Sequence, residues 1–137
     1  MKKIAIATVL FALAGGAAYA ADDVAQGEKD FKKCKACHSI ISPDGEKIVK
    51  GGVIGPNLYG VVGRPAAGDP EYGKYDDTMM ALAETGLVWT PENMAAYIPN
   101  AKDFLSEQSG EKAKTKMTPQ KVKDVTDVIA YLAQFSE

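Results

Sequence analysis

The chain has 137 residues, 25% of them charged and 46% hydrophobic, a one-domain length and an ordinary globular balance that exclude wholesale disorder and a multi-span membrane protein. Sixteen basic against eighteen acidic side chains give a formal net charge of -2, so the basic excess of a general nucleic-acid binder is missing. Two cysteines and one histidine are too few for a disulfide-dense scaffold or a multi-histidine metal site.

Residues 1–20 stand apart from the rest. Lys2 and Lys3 precede an apolar run from Ile4 to Ala14, followed by small residues ending in Ala18-Tyr19-Ala20. This is the three-part layout of a cleaved secretory signal peptide. The run is short for a membrane span, which needs about 20 residues; an uncleaved anchor is the alternative reading. The remaining chain, 21–137, is expected to form one domain with fourteen basic and eighteen acidic residues, formally -4. The Lys-Lys start and the Ala-x-Ala site point to the bacterial periplasm.

A first helix is expected from Asp22 to about Lys35, with Asp22 or Asp23 as N-cap and Val24, Gly27, Phe31 and Cys34 on one face. Gly27 on that apolar face implies that another helix crosses closely there. Residues 39–68 hold seven glycines and three prolines with little helical period, and read as loops. So long a loop in a small domain calls for a large non-protein object to wrap around. A short helix is expected over Asp76 to Glu84, stopped at Gly86. Thr90-Pro91-Glu92 is a helix start with threonine as N-cap and proline at the first helical position, and Met94, Tyr97 and Ile98 form the apolar face. Thr118-Pro119 repeats the signal before Val122, Val125, Val128, Ile129, Leu132 and Phe135. No strand alternation is visible, so the expected class is all-α.

The chemistry is concentrated in Cys34-Lys35-Ala36-Cys37-His38, the attachment signature of c-type haem. Two thiols three positions apart on a helical turn can each add to one haem vinyl group, and the adjacent imidazole then faces the iron. A thioredoxin-like pair would need a βαβ setting, structural zinc would need a second Cys/His pair, and a disulfide over so short a loop would leave His38 without a purpose.

His38 is the only histidine, which excludes a bis-histidine site. The iron is then five-coordinate with an open face, or takes a sulfur, amine or hydroxyl ligand. Met79, Met80 and Met94 stand among apolar neighbours in expected helices and read as core filler. Met117 stands in the polar stretch Lys114-Thr115-Lys116-Met117-Thr118-Pro119, where a thioether has reason to be only if it turns inward. Met117 is therefore assigned opposite His38.

These motifs, with Gly55-Pro56-Asn57-Leu58, Gly60-Val61-Val62-Gly63-Arg64, Lys74-Tyr75, Trp89-Thr90 and Ala130-Tyr131-Leu132, make residues 21–137 resemble a class I c-type cytochrome of the larger bacterial cytochrome c2 type, similar to mitochondrial cytochrome c. The resemblance implies the cytochrome c fold, with N- and C-terminal helices crossing and loops around one haem c bound through Cys34 and Cys37. It implies that the Pro56 carbonyl accepts from His38, that Tyr75 and Trp89 hydrogen-bond a buried haem propionate with Arg64 nearby, and that Tyr97 lies beside the Met117 sulfur with Asn57 in the same polar network. Two departures stand out. The family's proline four residues after Tyr97 is here Ala101, with Pro99 instead, so that helix end should differ. The stretches Ile40 to Val53 and Phe104 to Ala113 read as loop insertions.

Met/His ligation fills both axial positions and suits one-electron transfer rather than catalysis. Nine of the fourteen basic residues fall in two blocks beside the ligand motifs: Lys29, Lys32, Lys33 and Lys35, then Lys112, Lys114, Lys116, Lys121 and Lys123. Residues 69–107 instead hold Asp69, Glu71, Asp76, Asp77, Glu84, Glu92, Asp103 and Glu107 against Lys74 and Lys102. A lysine-rich face including Lys35, Lys114 and Lys116 would steer a monomeric carrier to acidic partners in transient encounters. By the resemblance these are membrane redox complexes, a cytochrome bc complex as donor and a photosynthetic reaction centre or terminal oxidase as acceptor, with no nucleic acid and no stable membrane insertion. The other readings are a haem enzyme or gas sensor with open iron, and a haem-binding domain with a structural or storage role.

Overall fold

Helix α1 covers Ala21–Phe31 in a computed structural model that describes residues 21–136. The expected signal peptide, 1–20, and the side chains of the expected caps Asp22 and Asp23 lie outside the described residues. The helix ends four residues short of the expected Lys35 because the chain tightens into a 3-10 turn at Cys34–Ala36. In that turn positions three apart eclipse, which brings Cys34 and Cys37 to the same side.

The glycine-rich stretch is not all loop. β1 (Ile40–Ile41) and β2 (Lys47–Val49) form a small antiparallel hairpin, correcting the expectation of no strands. Its turn is built by Ser42-Pro43-Asp44-Gly45, with the Gly45 N–H donating to the Ser42 carbonyl at 2.9 Å and Gly45 at φ 89°. Pro and Gly at those positions are a local turn signal.

Helix α2 (Asp77–Glu84) starts where expected, with the Asp76 carboxylate accepting from Met79 N, and Gly86 follows at φ 87°. Helix α3 (Pro91–Tyr97) has Thr90 as its cap, its side chain accepting from Asn93 N. Just before it, Ala66 and Gly63 N–H groups donate to the Leu87 and Trp89 carbonyls at 2.8 Å, and Trp89 N donates to Arg64 at 2.9 Å. These bonds lash the 60–68 loop to the start of α3 and fix Arg64 and Trp89 relative to one another.

Helix α4 (Ala101–Ser109) occupies most of the stretch read as a loop insertion from Phe104 to Ala113. Asn100 caps it, Gly110 ends it at φ 71°, and Ala101, Phe104 and Leu105 are buried. Ala101, in place of the family's proline, is the fully buried first residue of this helix, and Pro99 lies in the short break after α3. The last helix, α5 (Val125–Ala133), starts at Asp124 rather than at Thr118-Pro119. Residues 118–123 are taken up by tertiary ties instead: Gln120 N donates to the Ile98 carbonyl and Lys33 Nζ to the Lys121 carbonyl.

Helices α1 and α5 pack directly together. Gly27 marks the closest approach, since a Cβ there would sit 1.9 Å from the Asp127 carbonyl oxygen. Phe31 closes the contact against Tyr131, with ring centroids 5.5 Å apart. No described helix is long and apolar enough to cross a membrane.

Candidate haem and electron-transfer site

A cleft of about 350 Å³ opens between the Cys34–His38 turn, the 54–61 loop, helices α2 and α3, the 115–120 segment and the inner face of α5. Its walls are largely apolar: Leu58, Val61, Met79, Met94, Val128 and Leu132 all contribute. Leaving a continuous apolar surface open to water in a cleft costs free energy, which an apolar occupant would recover.

Cys34, Cys37 and His38 line one part of this cleft, and neither cysteine is in a disulfide. Burial pushes the Cys34 thiol up to about 11, with the Asp30 and Cys37 charges adding and Lys33 opposing. His38 Nδ1 lies 2.8 Å from the Pro56 carbonyl. A carbonyl only accepts, so Nδ1 carries the proton and Nε2 keeps its lone pair for a metal. Burial holds the His38 pKa below the usual histidine value; the Pro56 bond opposes this and Arg64 adds to it. Gly55 is required beside the ring: a Cβ there would stand 2.3 Å from His38 Cε1 and 2.7 Å from Nδ1.

Met117 lines the same cleft from the irregular segment between α4 and α5, its N–H donating to Thr115 Oγ1 at 3.1 Å. Met79 and Met94 line it too, from α2 and α3, but both are packed deep in the core, as expected for filler. Met80 is not filler: it is 49% exposed on the outer side of α2. Tyr97 also faces the cleft, tilted against Trp89 with ring centroids 4.6 Å apart and edge-on to Phe104. Burial pushes its hydroxyl up to about 12, with Asp76 adding and a hydrogen bond with Thr115 opposing.

No protein-family model matches the chain. It is 50% identical to cytochrome c2 of Rhodobacter capsulatus over 134 residues, 97% of each chain. It is 47% identical to cytochrome c-550 of Paracoccus denitrificans over 139 residues, 98% of this chain and 89% of that one. Among solved structures, a cytochrome c2 variant superposes with a TM-score of 0.78 at 52% identity, covering 84% of this chain and 99% of that chain. The chain belongs to the class I c-type cytochromes, in the cytochrome c2 and c-550 group. It is therefore an electron-transfer protein and not an enzyme, and its fold is the all-α cytochrome c fold, here with a small added hairpin.

The remaining residues that the cytochrome resemblance picks out fall into two groups. Tyr75 and Trp89 line the cleft, and the Tyr75 hydroxyl accepts from Asp69 N at 3.1 Å, which leaves its own proton to donate elsewhere. Arg64 and Asn57 do not line it. Arg64 Nη1 donates to the Asn57 and Tyr59 carbonyls at 3.0 and 3.2 Å, while its Nε is buried without a partner among the described residues. Asn57 is engaged with the hairpin rather than with Tyr97: its Oδ1 accepts from Ile41 N and Tyr59 N, and its Nδ2 donates to the Ile41 carbonyl. Asp69 was counted among the acids of 69–107 but is buried, its carboxylate accepting from Asn57 N and Glu71 N.

The donor set fits a haem. Two free cysteines precede a histidine whose Nε2 is available, the walls are apolar, and a thioether lines the same space. No group of three or more His, Cys, Asp or Glu among the described residues competes as a metal site. Gly55→Ala is expected to push the imidazole off the Pro56 carbonyl and cost about 1–3 kcal/mol as overpacking does. The check is loss of the His38 Nδ1 proton signal together with a lowered melting temperature.

Proposed function

We propose that this chain is a periplasmic one-electron carrier, holding one haem c through Cys34 and Cys37 with His38 and Met117 as axial ligands. The observation that carries the reading is the pinned imidazole: the Pro56 carbonyl at 2.8 Å fixes the tautomer and aims Nε2 at the apolar cleft that Met117 also lines. Haem held there supplies a one-electron iron couple, and Met/His ligation raises its potential. The chain's own residues do the rest. The wall residues Val61, Met79, Met94 and Leu132 exclude water, which strengthens every electrostatic interaction inside. Tyr75 and Trp89 are placed to donate to a propionate, and the unpartnered Arg64 Nε offers a compensating charge.

Electrons are proposed to arrive from a cytochrome bc complex and leave to a photosynthetic reaction centre or terminal oxidase. Docking is assigned to the lysine-rich face. Lys33, Lys74 and Lys116 reach the cleft itself, Lys35 and Lys114 are exposed beside it, and the Lys33 Nζ bond to the Lys121 carbonyl joins the two basic blocks. Charges arranged this way raise association rates by about 10–10³-fold at low salt. The bimolecular rate with an acidic redox partner is expected to fall at least tenfold from low to physiological salt, and Lys35→Glu with Lys116→Glu to flatten that dependence. A salt-independent rate, measured by stopped flow, overturns the docking assignment. The carrier reading itself is tested by the optical spectrum and carbon monoxide reactivity described below.

A further inference from the structure

Asp30 is an unexplained charge in the fold. It is 8% exposed, and its Oδ2 is buried with no hydrogen-bond partner among the described residues. A carboxylate in such a place is strongly disfavoured unless it is paired, and an apolar residue packed beside Phe31 would carry no such penalty. Its position ties it to the cleft. Asp30 lies four residues before Cys34, one helical turn away, and the backbone between them stays coiled, with Lys33 N donating to the Asp30 carbonyl at 3.1 Å and His38 N to the Cys34 carbonyl at 2.9 Å. Cys34 is the cleft wall at that point.

We infer that Asp30 is a redox-tuning residue, a buried negative charge placed one turn behind the Cys34 attachment point to stabilise the oxidised haem and lower its reduction potential. The inference rests on the proposed haem attachment at Cys34. An anion in a low-dielectric setting favours the state with one more positive charge, so neutralising it must favour reduction. Consistent with that placement, the Asp30 charge adds to burial in pushing the Cys34 thiol up. Lys33 acts there in the opposite sense, but it is exposed and its ammonium is engaged with the Lys121 carbonyl, so solvent weakens its compensation. Among the described residues nothing requires the charge. Phe31 and Gly27 make the contact with α5, and Asp30 caps no helix.

The test is a spectroscopic redox titration of the haem-loaded protein at neutral pH and fixed salt, comparing Asp30→Asn, Asp30→Leu and Asp30→Glu with the parent. At a fixed ambient potential the reduced-to-oxidised ratio is expected to rise roughly threefold to tenfold in Asp30→Asn and Asp30→Leu, tenfold being about 59 mV for one electron. Asp30→Glu, which keeps the charge, is expected to titrate near the parent. Thermal melts run alongside separate a structural role: Asp30→Asn is expected to melt no lower than the parent, because it removes an uncompensated buried charge. An unmoved potential in variants that retain the parent's haem spectrum overturns the inference. A parent protein that carries no covalent haem overturns instead the function proposed above.

Discussion

Met117→Ala is expected to convert a closed iron into an open one. The variant should lose the sulfur-to-iron band in the red, bind carbon monoxide stoichiometrically when reduced, and titrate at a markedly lower potential, because the methionine ligand is what raises it. Three methionines line the cleft, so the matching variants decide the assignment. Met79 and Met94 are 6% and 4% exposed and belong to the packed core, where exchange for leucine conserves volume. Met79→Leu and Met94→Leu should each cost less than about 1.5 kcal/mol and leave the band in place. Met117 differs in kind. It sits on an irregular segment whose backbone is held by the Thr115 hydroxyl, with Tyr97 facing the same space. A band that survives Met117→Ala and disappears in Met94→Leu or Met79→Leu would move the ligand to a helix.

Gly27→Ala is expected to be strongly destabilising for a change of one methyl. Alanine is favoured over glycine inside a helix by about 1 kcal/mol, so propensity alone forecasts stabilisation. Sterics decide otherwise. The added Cβ would lie 1.9 Å from the Asp127 carbonyl oxygen, 2.5 Å from its carbon and 2.9 Å from Tyr131 Cβ. Two of those three atoms are backbone inside α5, so no rotamer change relieves the clash and the helices must part. Parting them loosens Phe31 from Tyr131 and, beyond it, the Val128 and Leu132 wall of the cleft. A net loss of about 3 kcal/mol or more follows, a fall on the order of 10 °C in melting temperature. A variant that melts higher than the parent would refute the close crossing.

What the sequence made legible was chemistry encoded within a few neighbouring residues. Cys34, Cys37 and His38 announce themselves by spacing, and Asp76 and Thr90 cap helices where the residue types say they should. Gly27 was readable because a glycine on an apolar helix face has few other uses. The hairpin was also written locally, in Ile40-Ile41 and Lys47-Ile48-Val49 around Ser-Pro-Asp-Gly, but the surrounding glycines hid it. Helix α4 carried Asn100 as cap, Gly110 as stop and apolar Ala101, Phe104 and Leu105 between, signals obscured by its polar outer face. The start of α5 was not legible. Thr118-Pro119 is a sound local start overridden by bonds to Ile98 and from Lys33, residues remote in the chain. The partners of Asn57 and Asp69 were not legible either, since the hydrogen bonds to Ile41 and from Asn57 N join residues remote in the chain.

The Asp30 carboxylate belongs with these. No pattern in the sequence marks it as buried, because a charge one residue before Phe31 on a helix reads as solvated. Only the packed structure shows an orphaned oxygen there. Likewise no pattern in the sequence marks the Arg64 Nε as buried and without a partner among the described residues.

The central claim, a haem held by His38 and Met117 that carries one electron and binds nothing else, is tested most directly by exposing the purified, reduced protein to carbon monoxide and recording its visible spectrum. The protein is expected to show a covalent haem spectrum that carbon monoxide leaves unchanged, with the red band present after reoxidation. Rapid formation of a carbon monoxide adduct by the unmodified protein would contradict it.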